Sequence, residues 1–177
     1  MQLQSTKLKG VKLIKPELHR DARGCLKESF SLRRYQALLD IQLDFVQDNI
    51  SASKQGVLRG LHFQKHRPQG KLVMVTEGVI FDVVADINPS SSTFGQYVGC
   101  ELSAEKHLQL WVPPGYAHGF CVLSESAQVL YKCTDYYDPD DQGGVAWNFP
   151  TLAIDWPIQS PILSAKDAEV SVLWRTN

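Results

Sequence analysis

The sequence predicts an all-β fold, an antiparallel sandwich or jelly-roll barrel with a few short helices. Three observations carry that expectation. Segments rich in Val, Ile, Leu, Phe and Tyr recur about every 8–12 residues, the spacing of strands in such folds. Clusters of Gly, Pro, Ser and Asn separate them. Only one stretch repeats its apolar residues with a helical period. The chain has 177 residues, 44% hydrophobic and 21% charged, which suits one domain over 1–177 with a buried core.

The elements follow in order. VKLIK (11–15) reads as a strand without an evident partner in the chain, available as an edge strand to a second subunit. Ser31 stands where it can cap a helix in LRRYQALLD (32–40), whose Leu32, Tyr35, Leu38 and Leu39 share a face. Strands are then expected at 44–53, 71–78, 79–87 and 97–102, with a turn at 88–95. LQLWV (108–112) is the next strand, followed by the turn PPGYAHG (113–119) and strands at 120–124 and 128–137. The tail after Pro150 carries SAKDAEV (164–170), a short segment expected to fold back on the barrel. No internal repeat or linker divides the chain.

Charge is unevenly spread. Residues 1–71 hold 14 Lys/Arg against 6 Asp/Glu, and residues 72–177 hold 4 against 13. Three readings fit: a basic surface for nucleic acid, cations gathered round an anionic small molecule, or halves that interleave and cancel. No five like charges run together, which argues against a basic tail. Cys25, Cys100, Cys121 and Cys133 form no CxxC pair, so neither a zinc site nor a redox motif is signalled. Free thiols suit a reducing compartment. No apolar run approaches the roughly 18 residues of a membrane span. The start has no apolar signal region, so a cytoplasmic protein off the membrane is expected.

The densest chemistry lies between residues 47 and 64. Residues two apart on a strand share a face, so Gln47, Asn49 and Ser51 line one side of theirs. If 57–64 is also a strand, His62 and Gln64 share a face with each other. Such polar faces are either solvated or turned inward to line a site. Lys71 opens an apolar strand as a solvated gatekeeper or as a cation fixed in a cavity. His118 and Tyr131 read either as satisfied core residues or as cavity groups. Asp167 reads as a surface carboxylate or as the partner that orients a histidine. Gly56 to His62 and Pro113-x-Gly115-x2-His118 look like fragments of the two cupin motifs. Metal-binding cupins use a His-x-His pair with a Glu soon after, and here Phe63-Gln64 follows His62. Two histidines leave a transition metal under-coordinated, so no metal is expected.

Ten runs then occur in one order over nearly the whole chain: DARG (21–24), QDNISAS (47–53), GVLRGLHFQ (56–64), QGKLVMV (69–75), FDVVADI (81–87), STFG (92–95), PPGYAHGF (113–120), YKCTDYYDP (131–139), IDWP (154–157) and LSAKD (163–167). Together they resemble the dTDP-4-dehydrorhamnose 3,5-epimerase family. The resemblance implies a cupin-like antiparallel jelly-roll barrel, a homodimer, no cofactor and a dTDP-4-keto-6-deoxyhexose substrate, in dTDP-L-rhamnose synthesis. It implies that His62 is the general base, Asp167 its dyad partner, Lys71 the cation near the C4 oxygen and Tyr131 the general acid. By the same resemblance Arg23 and Arg59 contact the diphosphate or nucleotide, and Glu28, Gln47 and Asn49 surround the thymidine. His118 would stand near the sugar or diphosphate, and Tyr137 against the nucleotide. Cations round a diphosphate account for the basic first half better than nucleic acid does. The chain departs from the family pattern at His19, Cys25, Leu26, Asn88 and Phe149. A related epimerase acting at C3 or C5 alone, or a non-catalytic sugar-nucleotide-binding barrel, would share most of these residues.

Overall fold

The computed structural model describes residues 1–170. Strands β1 (Gln2–Ser5) and β2 (Lys12–Lys15) lead to a small hairpin, β3 (His19–Asp21) and β4 (Gly24–Leu26), and to helix α1 (Leu32–Leu39). There follow β5 (Gln47–Lys54), β6 (Leu58–Gln64), β7 (Lys71–Glu77), β8 (Val79–Asp86) and β9 (Tyr97–Ser103). Strands β10 (Gln109–Val112), β11 (Tyr116–Val122), β12 (Ser126–Cys133) and β13 (Gln142–Gly144) precede α2 (Ala165–Glu169).

Two sheets form the body, with strand orders β1-β2-β10-β7-β12-β5 and β13-β6-β11-β8-β9. Pairing within both is antiparallel. This is the jelly-roll arrangement expected of the sequence, with few and short helices.

Alternation along the strands sorts the core into layers. Val73 and Val75 on β7, Leu110 and Val112 on β10, and Val129 on β12 turn inward. They meet Ile80 and Val84 of β8, Leu102 of β9, and Phe120 and Val122 of β11. Full burial of one such side chain contributes about 1.5–3 kcal/mol. The intervening Leu72, Met74 and Trp111 face out, beneath Tyr35 of α1 and Phe30 and Phe45. Val83, Ala85 and Cys121 face out from the other sheet, where the tail covers them with Leu152 and Trp156. Among the described residues no helix is long and apolar enough to cross a membrane.

Several boundaries differ from the sequence expectation. The VKLIK segment does find a partner in its own chain: β2 lies between β1 and β10, with Val11 and Ile14 fully buried. The free edge falls instead to β1, whose exposed QLQS gave no strand signal. β11 begins at Tyr116, so the turn shrinks to 113–115 and His118 sits inside the strand. β12 stops at Cys133, leaving Tyr136 and Tyr137 exposed in the loop that follows. Ser31 holds the N-cap position of α1, but its hydroxyl makes no capping bond. α2 does carry a side-chain cap, Ser164, whose hydroxyl accepts from the Asp167 N–H at 3.1 Å.

Candidate active site

The polar face of β5 settles which way that strand is turned. Gln47, Asn49, Ser51 and Ser53 are half-buried, while Asp48, Ile50, Ala52 and Lys54 between them are exposed. The inward set therefore lines the interior at the open end of the sandwich. β12 lies beside it, with Tyr131 paired to Asn49 and Cys133 to Gln47. β7 comes next, with Lys71 paired to Cys133. One wall is thus built from β5, β12 and β7.

The opposing wall comes from β6 and β11. His118 pairs with His62 and Phe120 with Arg59, and between them Gly60 and Leu61 face Gly119 alone. This bulge adds one residue to β6. It returns both Arg59 and His62 to the inward face, which three-residue spacing would otherwise forbid. The sequence pays for it with glycine. Gly60 has φ +120°, and a Cβ there would lie 2.6 Å from Gly119 Cα and 2.8 Å from the His118 carbonyl oxygen.

The walls enclose a cavity of about 420 Å³, lined among others by His62, Lys71, His118, Tyr131 and Asp167. That volume suits a small-molecule site. Gln47, Asn49, Arg59 and Tyr137 line it as well. Nine of the eleven residues singled out in the sequence therefore share one cavity. Arg23 and Glu28 do not. Arg23 lies on the exposed β3–β4 hairpin and pairs with Asp21 at 2.6 Å, and Glu28 pairs with Arg34 at 3.2 Å.

His62 Nε2 lies 2.6 Å from Asp167 Oδ1. A carboxylate accepts, so a neutral imidazole donates from Nε2 and keeps a lone pair on Nδ1. The Asp167 side chain is nearly buried, at 5% exposure. Burial alone would raise its carboxyl, but bonds from His62 and the Ser164 cap outweigh that and hold it below the ordinary value. Across the cavity, burial pushes the Tyr131 phenol up, so it stays protonated at neutral pH, while the Arg59 charge pulls the other way. Burial lowers the Lys71 ammonium, and the charges of Cys133 and Asp82 oppose that. A base is thus present on one wall, and a neutral acid and a half-buried lysine on the other.

At the mouth, Arg59 Nε donates to Ser53 Oγ at 3.0 Å. Tyr137 is held by its N–H to Gln47 Oε1 at 2.8 Å and by its hydroxyl to Gln142 Oε1 at 2.6 Å. Lys166 Nζ donates to the same Gln142 oxygen at 2.7 Å. Ser51 Oγ, on the cavity lining, is buried without a hydrogen-bond partner. Among the described residues no three of His, Cys, Asp and Glu are grouped to hold a metal ion.

The structure adds groups that the sequence reading did not single out. Asp82 on β8 bonds His118 Nε2 through both oxygens, at 2.9 and 3.0 Å. A charged residue at an inward position between Ile80 and Val84 was a signal available in the pattern. Gln142 and Lys166 reach the mouth from β13 and α2, and nothing in their spacing foretold that.

Comparison with known proteins bears on the family and the fold. The family model described as dTDP-4-dehydrorhamnose 3,5-epimerase matches residues 5–174. The Salmonella typhimurium dTDP-4-dehydrorhamnose 3,5-epimerase is 48% identical over 170 residues, covering 95% of this chain and 93% of its own length. An equally named Neisseria gonorrhoeae protein is also 48% identical, but the chain spans only 51% of its length. Among solved structures, the Legionella pneumophila dTDP-6-deoxy-D-glucose-3,5-epimerase in complex with dTDP-4-keto-L-rhamnose superposes with a TM-score of 0.92 at 50% identity. That match covers 94% of this chain and 89% of the other. With sequence, fold and match extent in agreement, the chain belongs to the dTDP-4-dehydrorhamnose 3,5-epimerase family.

Proposed function

We propose that this chain inverts C3 and C5 of dTDP-4-dehydro-6-deoxy-D-glucose, giving dTDP-4-dehydro-L-rhamnose for dTDP-L-rhamnose synthesis. The observation that carries the reading is the pairing of a His–Asp dyad on one cavity wall with Lys71 and Tyr131 on the other. A relative 50% identical is described with dTDP-4-keto-L-rhamnose bound, which supports the substrate class.

A C4 ketone acidifies the hydrogens on both flanking carbons. His62, oriented by Asp167, removes one of them through Nδ1. The electron pair moves onto the C4 oxygen as an enolate, where the Lys71 ammonium interacts more strongly than with the ketone. Tyr131 then delivers its phenolic proton to the opposite face of the same carbon, inverting it. Reprotonating Tyr131 and releasing the proton from His62 closes the cycle without net oxidation, so no redox cofactor is called on. Arg59, with its guanidinium beside Ser53 at the mouth, holds the diphosphate. Gln47 and Asn49 meet the thymidine, Tyr137 stacks on it, and His118 contacts the sugar.

Arg23 and Glu28 fit this reading through a homodimer. The β3–β4 hairpin is exposed along its length and Leu26 is 72% exposed. A subunit partner that receives this arm brings Arg23 to the mouth of the other cavity and covers Leu26.

Product analysis by NMR in deuterated water, with dTDP-4-dehydro-6-deoxy-D-glucose, tests the assignment. The expected result is deuterium at both C3 and C5 with the L-configured product. Deuterium at one carbon would make the chain a mono-epimerase. Its absence at both, with dTDP still bound, would leave a binding barrel.

A further inference from the structure

Gln109 is a polar residue in a layer that is otherwise apolar. It stands on β10 between Leu108 and Leu110, pairs with Ile14 of β2 and Met74 of β7, and is fully buried. Leu110 and Val112 turn into the sandwich, so Gln109 and Trp111 turn outward, beneath α1. Ile14, Met74, Trp111 and Tyr35 form that layer, with Phe30 and Phe45 packed against it. Burying an amide there costs free energy unless its groups are bonded.

Its bonds converge on one point. Gln109 Nε2 donates to the Ser29 carbonyl oxygen at 2.8 Å, with Met74 Sδ at 3.6 Å as a weak second acceptor. Gln109 Oε1 accepts from the Tyr35 hydroxyl at 2.6 Å. That hydroxyl, on the fully buried Tyr35 of α1, also lies 3.1 Å from the Ser29 carbonyl oxygen. Burial pushes the Tyr35 phenol up to about 12, so it stays a donor through the neutral range. Helix α1 and strand β10 thus hold one backbone carbonyl between them.

Ser29 is the foot of the β3–β4 arm, three residues beyond the end of β4. The arm itself, residues 19–26, is exposed throughout. Two further contacts seat the foot. Lys27 Nζ lies 3.1 Å from His107 Nδ1, and the Phe30 ring packs on Tyr35 and Phe45 at centroid distances of 5.2 and 5.0 Å. Apolar rings tolerate sliding, whereas a satisfied buried polar network admits one register. Neither Gln109 nor Tyr35 is among the residues lining the cavity of its own chain.

We propose that Gln109 and Tyr35 are positioning residues, a buried clamp that sets where the arm leaves the body and therefore where Arg23 and Glu28 arrive. This rests on the reading in which the arm completes a neighbour's cavity. The clamp then acts on the nucleotide end of the other subunit's site and leaves the His62–Asp167 dyad of its own subunit untouched.

Tyr35→Phe combined with Gln109→Leu replaces both bonded partners by apolar groups of similar size, a change that cores tolerate. It leaves the Ser29 carbonyl without its bond. The Kd for dTDP should rise about tenfold or more, the worth of lost bonds to a charged group. KM for the dTDP-sugar should rise with it, and kcat should stay within about twofold. The decisive sample is the heterodimer of this double variant with His62→Ala. Its one cavity with an intact His62 belongs to the double-variant subunit and receives an unaltered arm, so KM there should return to the native value. A KM that stays raised places the defect inside the variant's own chain and overturns the clamp. Tyr35→Phe alone removes a single hydroxyl and carries the test if the double variant does not fold. It should raise the dTDP Kd about threefold, and an unchanged Kd overturns the proposal. Arg23→Ala distinguishes the two readings. If Arg23→Ala weakens dTDP binding and the clamp variants do not, the clamp alone falls. If Arg23→Ala also binds dTDP like the native protein, the arm reading falls and the clamp with it. Amide hydrogen exchange over residues 19–28 needs neither turnover nor substrate. It should quicken in the clamp variants and stay native over β7, and native exchange in the arm refutes the clamp whatever reaction the cavity serves.

Discussion

In the mechanism proposed above His62 and Tyr131 have separable duties, because one would remove a proton and the other return it from the far side. His62→Ala should lower kcat by about 10²–10⁴, the ordinary worth of a positioned base, with dTDP binding retained in calorimetry. Tyr131→Phe should leave much of the C3/C5 exchange into deuterated water, since His62 can return the proton to the face it came from. It should depress inversion far more, and equal loss of both would remove the phenol as donor. At this scale the sequence was readable where a residue type disagreed with its surroundings. Lys71 opens an apolar strand, whereas Asp167 was singled out only through the family resemblance. Asp82 carried the same kind of signal as Lys71. Gln142 and Lys166 carried none, because polar residues in loops and short helices are common on any surface.

The β6 bulge governs where the histidine points. Two-residue alternation would set Arg59 and His62 on opposite faces, and Gly60 with Gly119 makes room for the extra residue that brings them together. Gly60→Ala places a methyl group against the β11 backbone at a positive φ. It should cost about 2 kcal/mol or more, a fall in Tm of about 4 °C or more for a chain of this size. kcat should fall with it, and calorimetry with steady-state kinetics would check both. Most strands were legible because their inward Val, Ile and Leu alternate with other residues. β1, β3, β4 and β13 were not, because they run only three or four residues and bury no apolar side chain, and only their partners identify them. β11 was read too short because Pro113, Pro114 and Gly115 suggested a longer turn than they make.

In the whole molecule, the exposed β3–β4 arm is the part that a single chain leaves unexplained. If it serves a neighbour's cavity, subunits damaged in different places should repair each other. Arg23→Ala and His62→Ala homodimers, each impaired alone, should regain activity when mixed and re-equilibrated. The heterodimer then holds one cavity with an intact His62 and an intact incoming Arg23. Absence of rescue, with subunit exchange verified by mass, would assign the arm to its own chain. Sequence resemblance named Arg23 and Glu28, but it does not say across which boundary a residue acts, since that depends on where two surfaces meet.

The imidazole stands on one sheet and the phenol on the other, so in the proposed mechanism each side of a flat hexose intermediate would be attended by a separate slab of the sandwich. Exchange needs only the first slab, whereas handedness needs both in register. Gentle warming or mild denaturant, by easing the slabs apart, should therefore erode stereochemical fidelity before it erodes isotope wash-in. Chirality in the sugar product thus reports the spacing between two layers of protein.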